Sequence, residues 1–363
     1  MARTVGVEEE MLLLDPVTGR PSPVSRDAVL ANERAAEVEQ ELFLQQIETS
    51  TEPCREAERL LEGIRAGRRA VGVAAAAAGA RAVAVPVPVL SDEDQVVTPK
   101  DRYLDIHREY GELAHQALVC AMHVHVAVRD DDEGVAVVDR IRPWLPVLLA
   151  LSANSPFWQG RDTGHASWRS QVWGRWPTAG PREPFGDVAT YRAVTDRLTG
   201  WGASLDPGML YFDVRLSPQY PTVEVRVADV CTDVEDALLV ALLARALVET
   251  VAADAPGPGG PGPWRTDLLR AAAWRASRFG LDAELVHPVC GGLVPARTAV
   301  EATVGLVTPA LEEAGDLERV TRSVERLMAL GGGAARQRRV HETAGGLPGV
   351  VADLARRTEE SWR

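Results

Sequence analysis

Lysine is almost missing from this chain of 363 residues: Lys100 is the only one. A lysine Schiff base or a phosphate-loop lysine is therefore excluded unless Lys100 supplies it. Any anion clamp must be built from arginine, whose planar guanidinium suits bidentate contacts. Positive charge is also short overall. A formal net charge of −13 excludes a nucleic-acid partner and an anionic membrane partner, since both need a basic surface. Cysteine is sparse: Cys54, Cys120, Cys231 and Cys290 form no C-x-x-C pair. A chain of this size needs no disulfide staples, so the thiols read as reduced, and the expected location is cytoplasmic. The start, MARTVGVEEE, is acidic by residue 8 and has no apolar core of a secretion signal. The most apolar stretch, AVGVAAAAAGARAVAVPVPVL, is broken by Arg81 and two prolines. It is too interrupted to span a membrane. No internal repeat, GxGxxG turn or HExxH helix is found.

What is present is a large apolar fraction, 46%, enough for a sizeable core. Four segments read as strands by alternation or β-branched content: TVGVEEEMLLLD, MHVHVAVRD, MLYFDVRLS and TVEVRVADV. LFLQQIETST is a weaker fifth. Helical periodicity covers 25–41, 55–79, 102–118, 135–151 and 232–254. The run DAPGPGGPGPW, residues 254–264, reads as a surface loop. It separates a strand-and-helix part (1–253) from a mostly helical part (265–363). That later part includes the runs at 274–279, 296–314 and 317–330, the last closed by the glycines of ALGGGA. We expect one domain over 1–363, of class α+β, with a mostly antiparallel sheet and helices on one face.

Residues two apart on a strand share a face. Glu8 and Glu10 therefore share one, with Glu9 opposite among Val5, Val7, Met11 and Leu13. In MHVHVAV, His123 and His125 share a face, and Met122, Val124 and Val126 take the other. Tyr211, Asp213 and Arg215 alternate with Phe212, Val214 and Leu216. Glu224 and Arg226 alternate with Val223, Val225 and Val227. A sheet with one solvated side would alternate in the same way, but that side usually carries mixed Thr, Lys, Ser and Gln. Here four strands carry Glu-Glu, His-His, Asp-Arg and Glu-Arg. Clustered carboxylates repel unless cations neutralise them, and hard oxygen donors with an occasional imidazole suit Mg²⁺ or Mn²⁺ more than zinc. Arginines beside such a site point to a phosphate- or carboxylate-bearing substrate, consistent with ATP-driven chemistry.

On GVEEEMLLLD, ELFLQQIETST, MHVHVAV, LSANSPFWQGRDTGHASWRSQVWGRWP, TVEVRVADV, WRASRFGLDAELV and GGAARQR, the chain resembles the carboxylate–amine ligases of the glutamate–cysteine ligase type 2 family, from end to end. The resemblance implies a curved antiparallel sheet of the glutamine synthetase and guanido kinase type. ATP, metals and substrates would occupy its concave face, and the helices its convex one. It implies ATP-dependent ligation of the γ-carboxylate of glutamate to an amine, cysteine by default, through an acyl phosphate. Cofactors would be ATP and Mg²⁺ (or Mn²⁺), partners small molecules, and a homo-oligomer is left open. Carried over residue by residue, the metal ligands would be Glu8, Glu10, Glu48, His123 and Glu224, with Glu41 joining only if it precedes the strand or lies beyond a bulge. Arg226 would contact the transferred phosphoryl group. Arg169, Trp158 and Trp173 would line the substrate loop, Arg169 taking the α-carboxylate of glutamate, and Arg336 and Arg338 would reach nucleotide phosphates. A packed aromatic loop and a solvent role for the last two arginines are the competing structural readings. The chain departs from the family in having CAM where a Gly often precedes HVHV. Other readings are the same chemistry on another acid or amine, a magnesium-dependent phosphotransferase or phosphohydrolase, and a non-catalytic binding module. In a guanido kinase, Cys231 would be the reactive thiol.

Overall fold

Val5, Val7 and Met11 alternate with Glu8 and Glu10, and that alternation sets the orientation of the central strand. The computed structural model describes residues 2–32, 38–91, 95–253 and 264–363. Seven strands form its main sheet: β1 (Val5–Leu14), β2 (Glu39–Gln40), β3 (Gln46–Ser50), β4 (Arg81–Val83), β5 (Ala121–Ala127), β6 (Val214–Leu216) and β7 (Thr222–Asp229). The order is β2-β3-β1-β5-β7-β6, with β4 paired to the far end of β1. Every pairing is antiparallel, as the alternating pattern requires.

One face of this sheet is core. Val5, Val7, Met122, Val124, Val126, Val223 and Val225 join a cluster with Leu238, Leu239 and Leu242. Those leucines lie on the helix Val234–Ala253, which begins with acidic Glu235 and Asp236 in its first turn, where the helix dipole favours negative charge. It is apolar nearly all round because it is covered on every side, by the sheet and by the helices Ala57–Ala77, Asp131–Ile141, Ala296–Ala314 and Leu317–Leu330. Each fully buried leucine there contributes about 1.5–3 kcal/mol. Val300, Val307, Val320 and Leu327 of the later helices belong to the same cluster. A buried ion pair stands on the apolar side: Glu9 accepts two hydrogen bonds from Arg68, at 2.6 and 2.8 Å, and both side chains are buried.

Several boundaries differ from the sequence reading. Of the helix expected over 25–41, Ser25–Ala31 is helical, residues 33–37 lie outside the described residues, and Glu39–Gln40 pairs with Glu48 and Ile47 as strand. Sheet pairing overrides the helical period there. The helix expected over 102–118 is Asp101–Tyr110, then breaks at Gly111 (φ +53°) before Glu112–His115. The one over 135–151 ends at Ile141 and restarts at Leu145, across Pro143 and Pro146. MLYFDVRLS is strand only at Val214–Leu216. The helices Trp168–Trp173 and Val188–Gly200 carried no clear sequence signal. Of the Pro/Gly run, residues 254–263 lie outside the described residues.

Candidate active site

Register converts the polar face into a site. Glu8 on β1 lies opposite His123 on β5, and Glu10 lies opposite Glu48 on β3. Across β5, His125 lies opposite Glu224 on β7. Six groups then collect into two triads, Glu8–His123–Glu224 and Glu10–Glu41–Glu48. In each, one donor atom per residue lies within 4.8 Å of the others. Glu41 reaches its triad because it stands before β3, in the loop leaving β2, so strand parity does not apply to it.

The first triad is threaded with cations. His123 Nδ1 lies 3.3 Å from Glu8 Oε2 and 3.8 Å from Glu224 Oε1, and His125 Nε2 lies 3.2 Å from the other Glu8 oxygen. Glu224 accepts from Arg215 Nε at 2.7 Å and from Arg226 Nη1. Burial works against ionisation of both acids. The hydrogen bonds of His123 and His125 nonetheless hold Glu8 well below the usual carboxylate range, and the charges of Arg226 and Arg215 do the same for Glu224. Burial, with Arg226 nearby, pushes the His123 imidazole down to about 4, so the ring is neutral. Its Nε2 is buried without a hydrogen-bond partner among the described residues.

The second triad is almost bare of cations. Glu10 accepts one backbone bond, from Ala121 N at 2.8 Å. Burial, then the charge of Glu41, pushes Glu10 up to about 7. Burial and the charges of Glu41, Glu8 and Glu10 push Glu48 well up. Three carboxylates in this arrangement repel when ionised. All-oxygen donors at this spacing suit a hard divalent cation such as Mg²⁺ or Mn²⁺, and the first triad adds one neutral imidazole with a free nitrogen. The residues present therefore fit metal ions at both clusters.

Beside the triads lies a cavity of about 430 Å³, lined among others by Arg169, Trp173, Tyr211, Asp213, Arg226 and Trp274. A β-bulge shapes its inner end: Arg226 and Val227 together oppose His123, since Met122 pairs with Ala228 and Val124 with Val225. Arg169, fully buried, donates to the carbonyls of both bulge residues at 3.2 and 3.4 Å, and its Nε is left without a partner. Arg226 lies over the Tyr211 ring at 5.7 Å, and Trp173 packs on Tyr211 at 4.5 Å between centroids.

Arg226, Arg169 and Trp173 thus stand together at the cavity. Trp158 does not. It lies in a small apolar cluster with Val87, Val119 and Val172, against Trp168. Arg336 is paired with Asp236, and Arg338 donates to both oxygens of Asp162 at 2.9 and 3.0 Å. Cys231 is buried in the main core, and burial pushes its thiol well up, which does not suit a reactive cysteine. The sequence reading assigned no role to two wall residues. Asp213 was visible in the alternation of its strand. Trp274 comes from the helix Thr266–Phe279, and nothing local ties it to the sheet.

The chain is similar to known proteins. A family model described as Glutamate-cysteine ligase family 2 matches residues 4–353. A protein of Nocardioides sp., provisionally named glutamate–cysteine ligase 2-1, is 51% identical over 374 residues, covering 100% of this chain and 98% of the relative. A provisionally named glutamate–cysteine ligase 2 of Streptomyces coelicolor is 48% identical over 372 residues, covering 98% and 99%. Among solved structures, the glutamate–cysteine ligase of Francisella tularensis in complex with AMP aligns with a TM-score of 0.71 at 12% identity, over 100% of this chain and 89% of that one. A bifunctional glutathione synthetase from Pasteurella multocida aligns with a TM-score of 0.70 at 16% identity, over 99% of this chain and 53% of that one. These two likenesses show the fold.

Proposed function

The chain belongs to Glutamate-cysteine ligase family 2, and from that premise we propose that it is an ATP-dependent ligase joining the γ-carboxylate of glutamate to an amine, with cysteine the default amine. The observation that carries this is the pair of carboxylate-rich triads beside a cavity lined by Arg169 and by Arg226, the latter bonded to Glu224 of the first triad. In the proposed reaction a glutamate γ-carboxylate oxygen attacks the terminal phosphorus of ATP. The bond to the bridging oxygen breaks, ADP leaves and an acyl phosphate forms. The amine, having lost a proton from its ammonium form, attacks the acyl carbon. The carbon–nitrogen bond forms, phosphate leaves, and a second proton departs to give the amide.

Glu8, His123 and Glu224 would hold one divalent ion, and Glu10, Glu41 and Glu48 another. When bound, such ions would neutralise the triphosphate and supply Lewis-acid stabilisation of the transferring phosphoryl group. The bound AMP of the Francisella ligase supports a nucleotide on this fold. Arg226 stands between the first triad and the cavity, positioned to stabilise charge developing on the transferred group. Arg169 offers a buried, unpartnered Nε–H at the cavity, suited to a substrate carboxylate, and Trp173 forms part of the wall. For Arg336 and Arg338 to reach nucleotide phosphates, each would exchange its present carboxylate partner for one. Four free cysteines fit the proposed cytoplasmic location, and no helix among the described residues is long and apolar enough to cross a membrane.

The test is ADP release from Mg²⁺, ATP and glutamate against a panel of amines with a no-amine control. ADP release that requires both glutamate and an amine supports the ligase. ADP release without either would replace it with a phosphohydrolase. Release with an acid other than glutamate would keep the mechanism and change the substrate.

A further inference from the structure

Arg169, assigned above to the substrate carboxylate, is held by β7 at both ends. Its guanidinium donates to the carbonyls of the two bulge residues, Arg226 and Val227. Its main chain is tied to the same strand further on. Arg169 N donates to Ser155 Oγ at 3.0 Å, and Ser155 Oγ donates to Asp229 Oδ2 at 2.8 Å. Asp229 is the last residue of β7. Strand parity alone would turn it away from the face of Glu224 and Arg226. The bulge inserts one extra residue between them, so Asp229 pairs with Ala121 and shares the polar face.

Asp229 is fully buried and collects two more hydrogen bonds. Asn154 N donates to Oδ2 at 2.9 Å, and Ser167 Oγ donates to Oδ1 at 2.8 Å. Both hydroxyls are set to donate, because each accepts a backbone N–H on its own oxygen: Ser155 from Arg169, and Ser167 from Ser170 at 3.4 Å. A group that accepts on both oxygens completes this arrangement, and a carboxylate does so. Ser167 caps the helix Trp168–Trp173, which carries Arg169 and Trp173 to the cavity. Burial lowers the Arg169 guanidinium from its ordinary value, and the charge of Asp229 opposes that more than any other. The loop also has an anchor on its far side. Gln337 of the GGAARQR stretch donates to the backbone and side-chain oxygens of Asn154 at 2.6 and 2.8 Å. Asp229 is therefore not the sole attachment of this segment to the fold.

We propose that Asp229 is a positioning residue for the acid substrate. Through Ser155 and Ser167 it sets the start of the helix, and so aims the unpartnered Arg169 Nε–H at a carboxylate of glutamate. The assignment rests on the ligase reading and deepens it. Asp229 touches neither substrate nor reacting atoms and acts through Arg169. Its loss weakens glutamate and leaves ATP and the transfer step alone.

The experiment is a double-variant cycle on the full chain, with Asp229→Asn, Arg169→Ala and both together. Calorimetry reads glutamate binding in the presence of Mg²⁺ and a non-hydrolysable ATP analogue, and ADP release gives kcat and each KM. Asp229→Asn is expected to weaken glutamate about tenfold, the scale of one misplaced charge-assisted hydrogen bond, with kcat and the KM for ATP changed less than about twofold. In the Arg169→Ala background the same substitution should add nothing, since both act through one contact. Ser155→Ala cuts the link and keeps the carboxylate. It should reproduce the loss on a smaller scale, and it carries the same cycle if the melting curve of Asp229→Asn shows a damaged fold. An equal loss in both backgrounds, or a lowered melting temperature with glutamate affinity unaltered, marks Asp229 as structural and overturns the proposal. A wild type that binds glutamate through Arg169 and Asp229 together, yet releases no ADP with any amine, overturns the ligase reading and supports the positioning role. A wild type that binds no glutamate overturns both.

Discussion

The two triads meet on one strand, β1, two residues apart, and their carboxylates are pushed in opposite directions. Around Glu8 and Glu224 the protein supplies its own counter-charge, from Arg215 and Arg226, together with hydrogen bonds from two histidines, and both acids are held down. Around Glu10, Glu41 and Glu48 the nearest strong influences are other carboxylates, and Glu10 and Glu48 are pushed up. Burial alone cannot explain the contrast, because it raises the acids of both clusters. What differs is the sign of the neighbours. The first triad is close to neutral as it stands. The second holds a charge deficit that only protons or a metal ion can fill, so it reports more directly on metal binding, although the first contains the conspicuous histidine.

The largest way to break this contrast is to take the counter-ion from the first triad's arginines. Glu224→Ala leaves Arg215 and Arg226 buried and unpaired, and should destabilise the fold by about 3–5 kcal/mol, read by chemical denaturation. Next comes loss of function without loss of fold. Glu10→Gln should lower ADP release by roughly a hundredfold or more, the scale of a lost metal or charge-stabilising contact, while the melting temperature holds.

The pH dependence of metal-free stability should differ between the clusters in sign. Glu10 binds its proton more tightly in the folded state, with its value raised from 4.5 to about 7. The folded state therefore holds more protons than the unfolded one across that window, and stability falls as pH rises through it. Glu8 and Glu224 have lowered values, so their contribution is full above about 4.5 and is lost on acidification. His123, lowered from 6.5 to about 4, adds to the acid-side loss, since the unfolded chain gains its proton first. In a chelator, melting temperatures from pH 5 to 8 should decline more steeply for the wild type than for Glu10→Gln, and Mg²⁺ should flatten the wild-type curve. An equal slope in both proteins would remove Glu10 from the account. The smallest effect is the most diagnostic in sign. Glu48→Gln removes a like charge directly opposite Glu10 and should stabilise the metal-free protein by about 0.5–1 kcal/mol, while abolishing the Mg²⁺ response at that cluster.

Much of the first triad is legible in the sequence, because strand parity puts Glu8, His123 and Glu224 each on a polar face. Parity cannot say which strands are neighbours, so the Glu8–His123 pairing emerges only from the register. Glu41 lies beyond periodicity altogether: it sits in a loop, in a stretch whose pattern reads as helix, and only the family resemblance points to it. The cavity is the least legible part. Its inner end depends on a bulge in β7 with no sequence mark, and Trp274 arrives on a helix that the sheet's alternation says nothing about. Arg336 and Arg338 show the opposite limit. Charge and motif make them visible, but not the carboxylates that hold them.

The most direct measurement is the number of Mn²⁺ ions bound per chain, by paramagnetic resonance titration, for the wild type and Glu48→Gln. Two sites in the wild type and one in the variant, with the fold unchanged, is the predicted result. A single site that survives Glu48→Gln would contradict the claim that the cation-poor triad is a metal site.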